Sequence, residues 1–103
     1  MKRFAYVSQP MNKDYAEIRK ERGILEARLR DMGYEVINTF YSSLVPMDVK
    51  NMPICQLGSN LIRLADADIA VFMKGWNKSR GCRLEHHACK LYDMPILYEN
   101  NIK

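Results

Sequence analysis

The sequence predicts a three-layer α/β domain: a small parallel sheet of four to five strands with helices on both faces. Three observations lead there. Short runs of strand formers alternate with longer amphipathic stretches along the chain, the rhythm of strands joined by crossover helices. One run, "DIAVFM" (Asp68 to Met73), is continuously apolar and bounded by charge, as a central parallel strand buried on both faces must be. The length, 103 residues, suffices for a single core and not for two, so one domain and one site are expected.

Element by element, "RFAYVS" (Arg3 to Ser8) reads as the first strand, stopped by the proline and asparagine of "QPMN". From Lys13 to Met32 the apolar residues Ile18, Leu25, Leu29 and Met32 recur at helical spacings among Arg, Lys and Glu, which predicts a long amphipathic helix closed by Gly33. "YEVINTF" (Tyr34 to Phe40) alternates and reads as the second strand, followed by a loop through Pro46. The segment from Val49 to Leu64 is interrupted by Pro53 and Gly58, and a helix is expected over the second half of "CQLGSNLIRLADA". Asp68 to Met73 is the third strand and the middle of the sheet, with Asp66 and Asp68 flanking its start. Arg83 to Tyr92 is helical, with the apolar Leu84, Ala88 and Leu91 on one face. "MPILYE" (Met94 to Glu99) is the last strand, entered by a proline where proline is tolerated.

Such a sheet is Rossmann- or flavodoxin-like, with right-handed crossovers. Ligands then bind beyond the carboxyl ends of the strands, where strand order reverses. Two segments land there, "SQPM" after the first strand and "KGWNKSRG" after the third, and both are expected to face one crevice.

Composition excludes several functions. Hydrophobic residues make up 48% and charged residues 27%, the balance of a soluble globular protein without disordered tracts. No apolar run approaches the ~20 residues that span a bilayer, and the N-terminus lacks a signal-peptide pattern, so a cytoplasmic protein with no membrane partner is expected. The net charge is +4, and its one local cluster is Lys74, Lys78, Arg80 and Arg83. That cluster can hold a phosphate but does not make a nucleic-acid footprint. Three cysteines, Cys55, Cys82 and Cys89, form no disulfide framework and are read as reduced thiols. Cys82, His86 and Cys89 share a helical stripe beside His87, but seven residues of helix span ~10.5 Å, too far for one ion with bonds of roughly 2.0 to 2.3 Å. No metal and no cofactor are expected; the cysteines read as small buried residues and the histidines as surface or subunit-contact groups.

Three stretches, "YVSQPM", "LADADIAVFMKGW" and "SRGCRLEHHACKLYDMPILY", resemble short phage and bacterial proteins of a domain-of-unknown-function family related to nucleoside 2-deoxyribosyltransferases and nucleoside 5'-monophosphate N-glycosidases. The resemblance covers nearly the whole chain. In that superfamily an Asp or Ser is followed two residues on by Gly and four after that by Glu, which here falls on Ser79, Gly81 and Glu85. The resemblance implies that Glu85 is the nucleophile attacking the anomeric carbon and that Tyr6 positions it. It implies that Ser8, Gln9 and Pro10 lie on the loop over the sugar, and that Ser79 contacts a 5'-phosphate. Gln9 stands where related proteins commonly carry glycine, and Asn60 where the superfamily usually has an aspartate that handles the base. It implies a nucleoside or nucleoside 5'-monophosphate as ligand, and a homodimer or higher homo-oligomer.

The chemistry suits these residue types. N-glycosidic cleavage passes through an oxocarbenium-like state that a carboxylate below the ring stabilises or traps. A serine hydroxyl and helix-start amides bind phosphate, Arg80 or Arg83 can add charge-assisted bonds, and Gly81 permits close backbone approach. Gly75 and Trp76 on the second loop are candidates for the base, Trp76 by stacking. Each residue also has a plain structural explanation: Glu85 suits the helix dipole, Ser79 is a natural N-cap, Tyr6 a strand aromatic, and Trp76 a packing lid. A nucleotide-binding module without turnover is the alternative function, favoured by Asn60 and Gln9, because an amide cannot serve as a general acid.

Overall fold

The computed structural model describes residues 2–38 and 48–102. The expected end of the second strand and the loop through Pro46 lie outside the described residues. The elements are strand β1 (Arg3–Ser8), helix α1 (Tyr15–Asp31), β2 (Tyr34–Val36), α2 (Met52–Ala65), β3 (Ile69–Phe72), α3 (Arg80–Leu91) and β4 (Ile96–Tyr98). Short 3₁₀ turns follow β3 at Trp76–Lys78 and β4 at Glu99–Asn101. The four strands pair in the order β2-β1-β3-β4, every pair parallel.

The period of two along β1 and β3 divides the core. Ala5, Val7, Val71 and Met73 pack with Leu25 and Leu29 of α1 on one face. Tyr6, Ala70 and Phe72 pack with Leu64 of α2 and Cys89 of α3 on the other. Helix α1 carries the chain from β1 out to β2 on the first face; α2 and α3 carry it back through β3 to β4 on the second. Reversing direction while changing face keeps all three crossovers of one hand, as parallel sheets demand. The result is a small Rossmann/flavodoxin-like α/β fold, with strand order reversing between β1 and β3.

Local chemistry explains where the elements begin and end. Helix α1 starts at Tyr15, two residues later than the sequence suggested, because the Asp14 carboxylate accepts from the Ala16 amide at 3.2 Å as its N-cap. It buries Ile18, Arg22, Leu25 and Leu29, whereas Met32, the last of the apolar series, is the exposed C-cap before Gly33 (φ 95°). Helix α2 runs from Met52, not over its second half only. Asn51 Oδ1 accepts from the Ile54 amide at 3.1 Å, and Pro53 sits in the first turn, where its missing N–H has no intrahelical partner to lose. Asp68 pins the edge of the β1/β3 ladder: its carboxylate accepts from the Phe4 amide at 2.7 Å and its own amide donates to Phe4 O at 2.8 Å. Asp66 is the C-cap of α2.

Helix α3 departs most from expectation. It begins at Arg80 behind a Ser79 N-cap, three residues earlier than Arg83. Its buried stripe is Cys82, Glu85 and Cys89, not Leu84, Ala88 and Leu91; Leu84 is 48% exposed and Leu91 63%. The helix is turned so that a carboxylate goes in while leucines stay out, which is tenable because β1 supplies that carboxylate with hydrogen-bond donors. Strand β4 stops at Tyr98, and the Glu99 carboxylate accepts from the Lys74 amide at 2.7 Å, tying the two strand-end loops together. No helix among the described residues is long and apolar enough to cross a membrane.

Candidate functional site

Alternation along β1 turns Tyr6 and Ser8 toward the α2/α3 layer, and the first two turns of α3 bring Glu85 down onto them. The Ser8 hydroxyl donates to Glu85 Oε1 at 2.7 Å, and the Tyr6 hydroxyl donates to Oε2 at 3.1 Å. Glu85 is only 5% exposed. Burial pushes its carboxyl above the usual carboxylate range, while hydrogen bonding from Ser8, Tyr6 and, more weakly, Asn60 pulls the other way. Burial, and then the charge of Glu85, push the Tyr6 phenol far above its ordinary value. Tyr6 therefore stays protonated and acts as a donor to Glu85. The Cys82 thiol is raised chiefly by burial, and Cys89 is pushed up to about 11 by burial and then by Glu85. Neither sulfur is a thiolate at neutral pH.

Above this triad opens a cleft of about 660 Å³ between α2, the start of α3 and the carboxyl end of β1, within the usual size range of small-molecule sites. Tyr6, Ser8, Gln9 and Glu85 form its base; Asn60 faces them from α2; Ser79, Arg80 and Gly81 form the rim at the start of α3. Eight of the residues singled out from the sequence thus converge on one crevice, at the β1 side of the strand-order reversal. Ser79 Oγ accepts from the Cys82 amide at 3.4 Å, so the same hydroxyl that faces the cleft also caps the helix. Of the basic cluster, Arg80 lines the cleft; Lys74, Lys78 and Arg83 do not.

Gln9 does not thrust its side chain across the cleft. Its Nε2 donates to Ile18 O at 2.9 Å, folding the amide back onto α1, and its buried Oε1 has no hydrogen-bond partner among the described residues. Pro10, Gly75 and Trp76 are absent from the lining. Gly75 adopts φ 89°, and a Cβ there would stand 3.6 Å from Pro10 Cγ, so these two residues hold the loops after β1 and β3 against each other. The Trp76 ring stacks on His86 at 3.9 Å between centroids and tilts against Phe72, away from the cleft lining. His86, expected at the surface, belongs to this aromatic group on the β4 side of α3, with Nε2 2.7 Å from the Tyr98 hydroxyl, while His87 is exposed. No group of His, Cys, Asp or Glu among the described residues is arranged to hold a metal ion.

Sequence reasoning missed Arg22 and the α2 wall. The Arg22 guanidinium is buried beneath the cleft, paired with Glu26 at 2.8 Å and donating to Val7 O at 3.5 Å and Ile37 O at 3.4 Å. It braces the carboxyl ends of β1 and β2. Its signal was its place in the buried helical stripe with Ile18, Leu25 and Leu29. The wall residues Asn51, Ile54 and Leu57 belong to the half of α2 that Pro53 and Gly58 made look irregular.

No curated protein and no solved structure gives a significant match. The profile of one protein family matches residues 4–98, nearly the whole chain. The chain therefore belongs to the family described as a domain of unknown function (DUF4406).

Proposed function

We propose that this chain cleaves the N-glycosidic bond of a nucleoside or nucleoside 5'-monophosphate, or transfers its ribosyl or deoxyribosyl group, with Glu85 as nucleophile. The observation that carries this reading is the buried Glu85 carboxylate, held by the Tyr6 and Ser8 hydroxyls at the base of a ligand-sized cleft. Two donors, one on each oxygen, fix the orientation of the carboxylate without placing a cation beside it to quench its attack. Its carboxyl, raised by burial, makes it a stronger base and nucleophile once ionised than a surface glutamate. Attack on the anomeric carbon gives a glycosyl ester, and water or a second base resolves it as hydrolysis or transfer.

The rim at Ser79, Arg80 and Gly81 supports a 5'-monophosphate. First-turn amides point out of the helix without intrahelical acceptors, the dipole favours an anion there, and Arg80 adds a full positive charge. The resemblance of Ser79, Gly81 and Glu85 to the deoxyribosyltransferase motif agrees with this assignment. A nucleotide-binding module without turnover is the second reading, and Asn60 favours it, because an amide beside Glu85 has no proton to give.

The test is one plate of nucleosides, 5'-monophosphates and deoxy analogues with wild type and Glu85→Ala, followed by thermal melting and then by assay of released base. Base release lost in the variant supports the enzyme. Stabilisation by monophosphates with no base released from any of them would move the assignment to the binding module.

A further inference from the structure

Resting on the N-glycosidase reading, we propose that the substrates of this site are N-glycosides whose base already carries a positive charge, as a pyridinium or an N7-alkylated purine does. Such a base leaves as a neutral molecule and needs no proton from the protein.

Glu85 is the one carboxyl lining the cleft among the described residues, and no histidine or lysine lines it. Glu85 is committed as nucleophile. The Tyr6 proton is engaged on Glu85 itself, the Cys82 thiol on the cleft wall is raised by burial and holds its proton more tightly than an ordinary cysteine, Asn60 has no acidic proton, and the guanidinium groups of Arg22 and Arg80 do not give one up near neutrality. The segment 39–47, outside the described residues, reads TFYSSLVPM; it brings no carboxyl, imidazole or amine side chain, and its one acidic side-chain proton is the phenol of Tyr41. A neutral nucleoside attacked here would have to expel its base as an anion beside a freshly consumed carboxylate.

A cationic base changes the balance. Carboxylate and cation neutralise each other as the bond to C1' forms, and neutralisation is favoured in a site where Glu85 is 95% removed from solvent. The side walls suit the departing molecule: Ile54 and Leu57 of α2 and Leu84 of α3 line the cleft, offering apolar surfaces to a planar ring that has just lost its charge. In the first step a Glu85 oxygen bonds to C1', and the electron pair of the C1'–N bond returns to the ring nitrogen. In the second, water attacks C1', the ester bond pair returns to Glu85 as carboxylate, and a proton passes to solvent. One water is consumed and one proton released per turnover.

The test compares guanosine 5'-monophosphate with its N7-methyl derivative, which differs by the methyl group that makes the base a cation, and adds nicotinamide mononucleotide as a second cationic substrate. Free base is measured chromatographically, and the rate with Glu85→Gln, checked by melting to be folded, is subtracted as background. General-acid assistance contributes ~10²–10⁴-fold where it exists, so its lack predicts kcat/KM on the cationic members at least ~100-fold above the unmethylated nucleotide. A ratio below about tenfold overturns the proposal while leaving the N-glycosidase reading intact. No Glu85-dependent base release from any of the three by folded protein overturns both.

Discussion

Removing the Tyr6 hydroxyl tests whether Glu85 is held as a charged group. Tyr6→Phe keeps the ring, which is 2% exposed and packed with Leu64 and Phe72, and deletes only the donor 3.1 Å from Glu85 Oε2. A hydrogen bond to a charged acceptor contributes about 1.5–3 kcal/mol. The separation is at the long end for an O–H donor, so the lower half of that range, ~1.5–2 kcal/mol, is expected. In a domain of this size that lowers Tm by roughly 6–16 °C. Part of the cost belongs to the charge, so it should shrink in acid, where Glu85 is protonated, and shrink again in a Glu85→Gln background. The assay is denaturant or thermal unfolding of wild type, Tyr6→Phe, Glu85→Gln and the double variant near neutral pH and again in acid. A coupling energy of about 1 kcal/mol or more at neutral pH is expected. Additive effects at both pH values would refute the idea that the phenol holds an ionised carboxylate.

Glu85→Gln should itself reveal the price of burying the charge. Because burial raises the folded-state carboxyl, its contribution to stability is full below the ordinary carboxyl value and is lost as pH rises through the raised one; the glutamine variant should therefore gain stability relative to wild type as pH increases across that window. For the same reason, base release should fall as pH drops through the raised Glu85 value, at a higher pH than an exposed glutamate would protonate, and a rate–pH profile checks this. Ser79→Ala removes an N-cap, at a cost of about 0.5–2 kcal/mol, and should also weaken stabilisation by monophosphates more than by free nucleosides in a melting screen. Leu91→Ala, on the exposed side of α3, should change unfolding free energy by less than about 0.5 kcal/mol, whereas Leu29→Ala in the core should cost about 2–5 kcal/mol. Trp76→Phe should lower stability through the His86 stack and leave nucleotide affinity unchanged in a titration.

Much of this protein was legible in its sequence. The order of strands and helices, the buried run at Asp68 to Met73, the cap at Gly33 and the pairing of the two strand-end loops follow from local periodicity, turn chemistry and the rules of parallel sheets. Those signals act within a few residues and survive in any context. The candidate nucleophile was legible only through its motif with Ser79 and Gly81, since a glutamate near a helix start is equally expected from the dipole. Tertiary structure alone decided which side of α3 goes inward: Leu84, Ala88 and Leu91 form the more apolar stripe, yet the Cys82, Glu85 and Cys89 stripe is buried, because Tyr6 and Ser8, more than seventy positions away in the chain, place donors on both oxygens of the carboxylate. It likewise decided that Trp76 stacks on His86 instead of facing the cleft, and that Arg22 lies beneath it. Each of these outcomes depends on groups brought together across the sheet, and no pattern within a single helix carries that information.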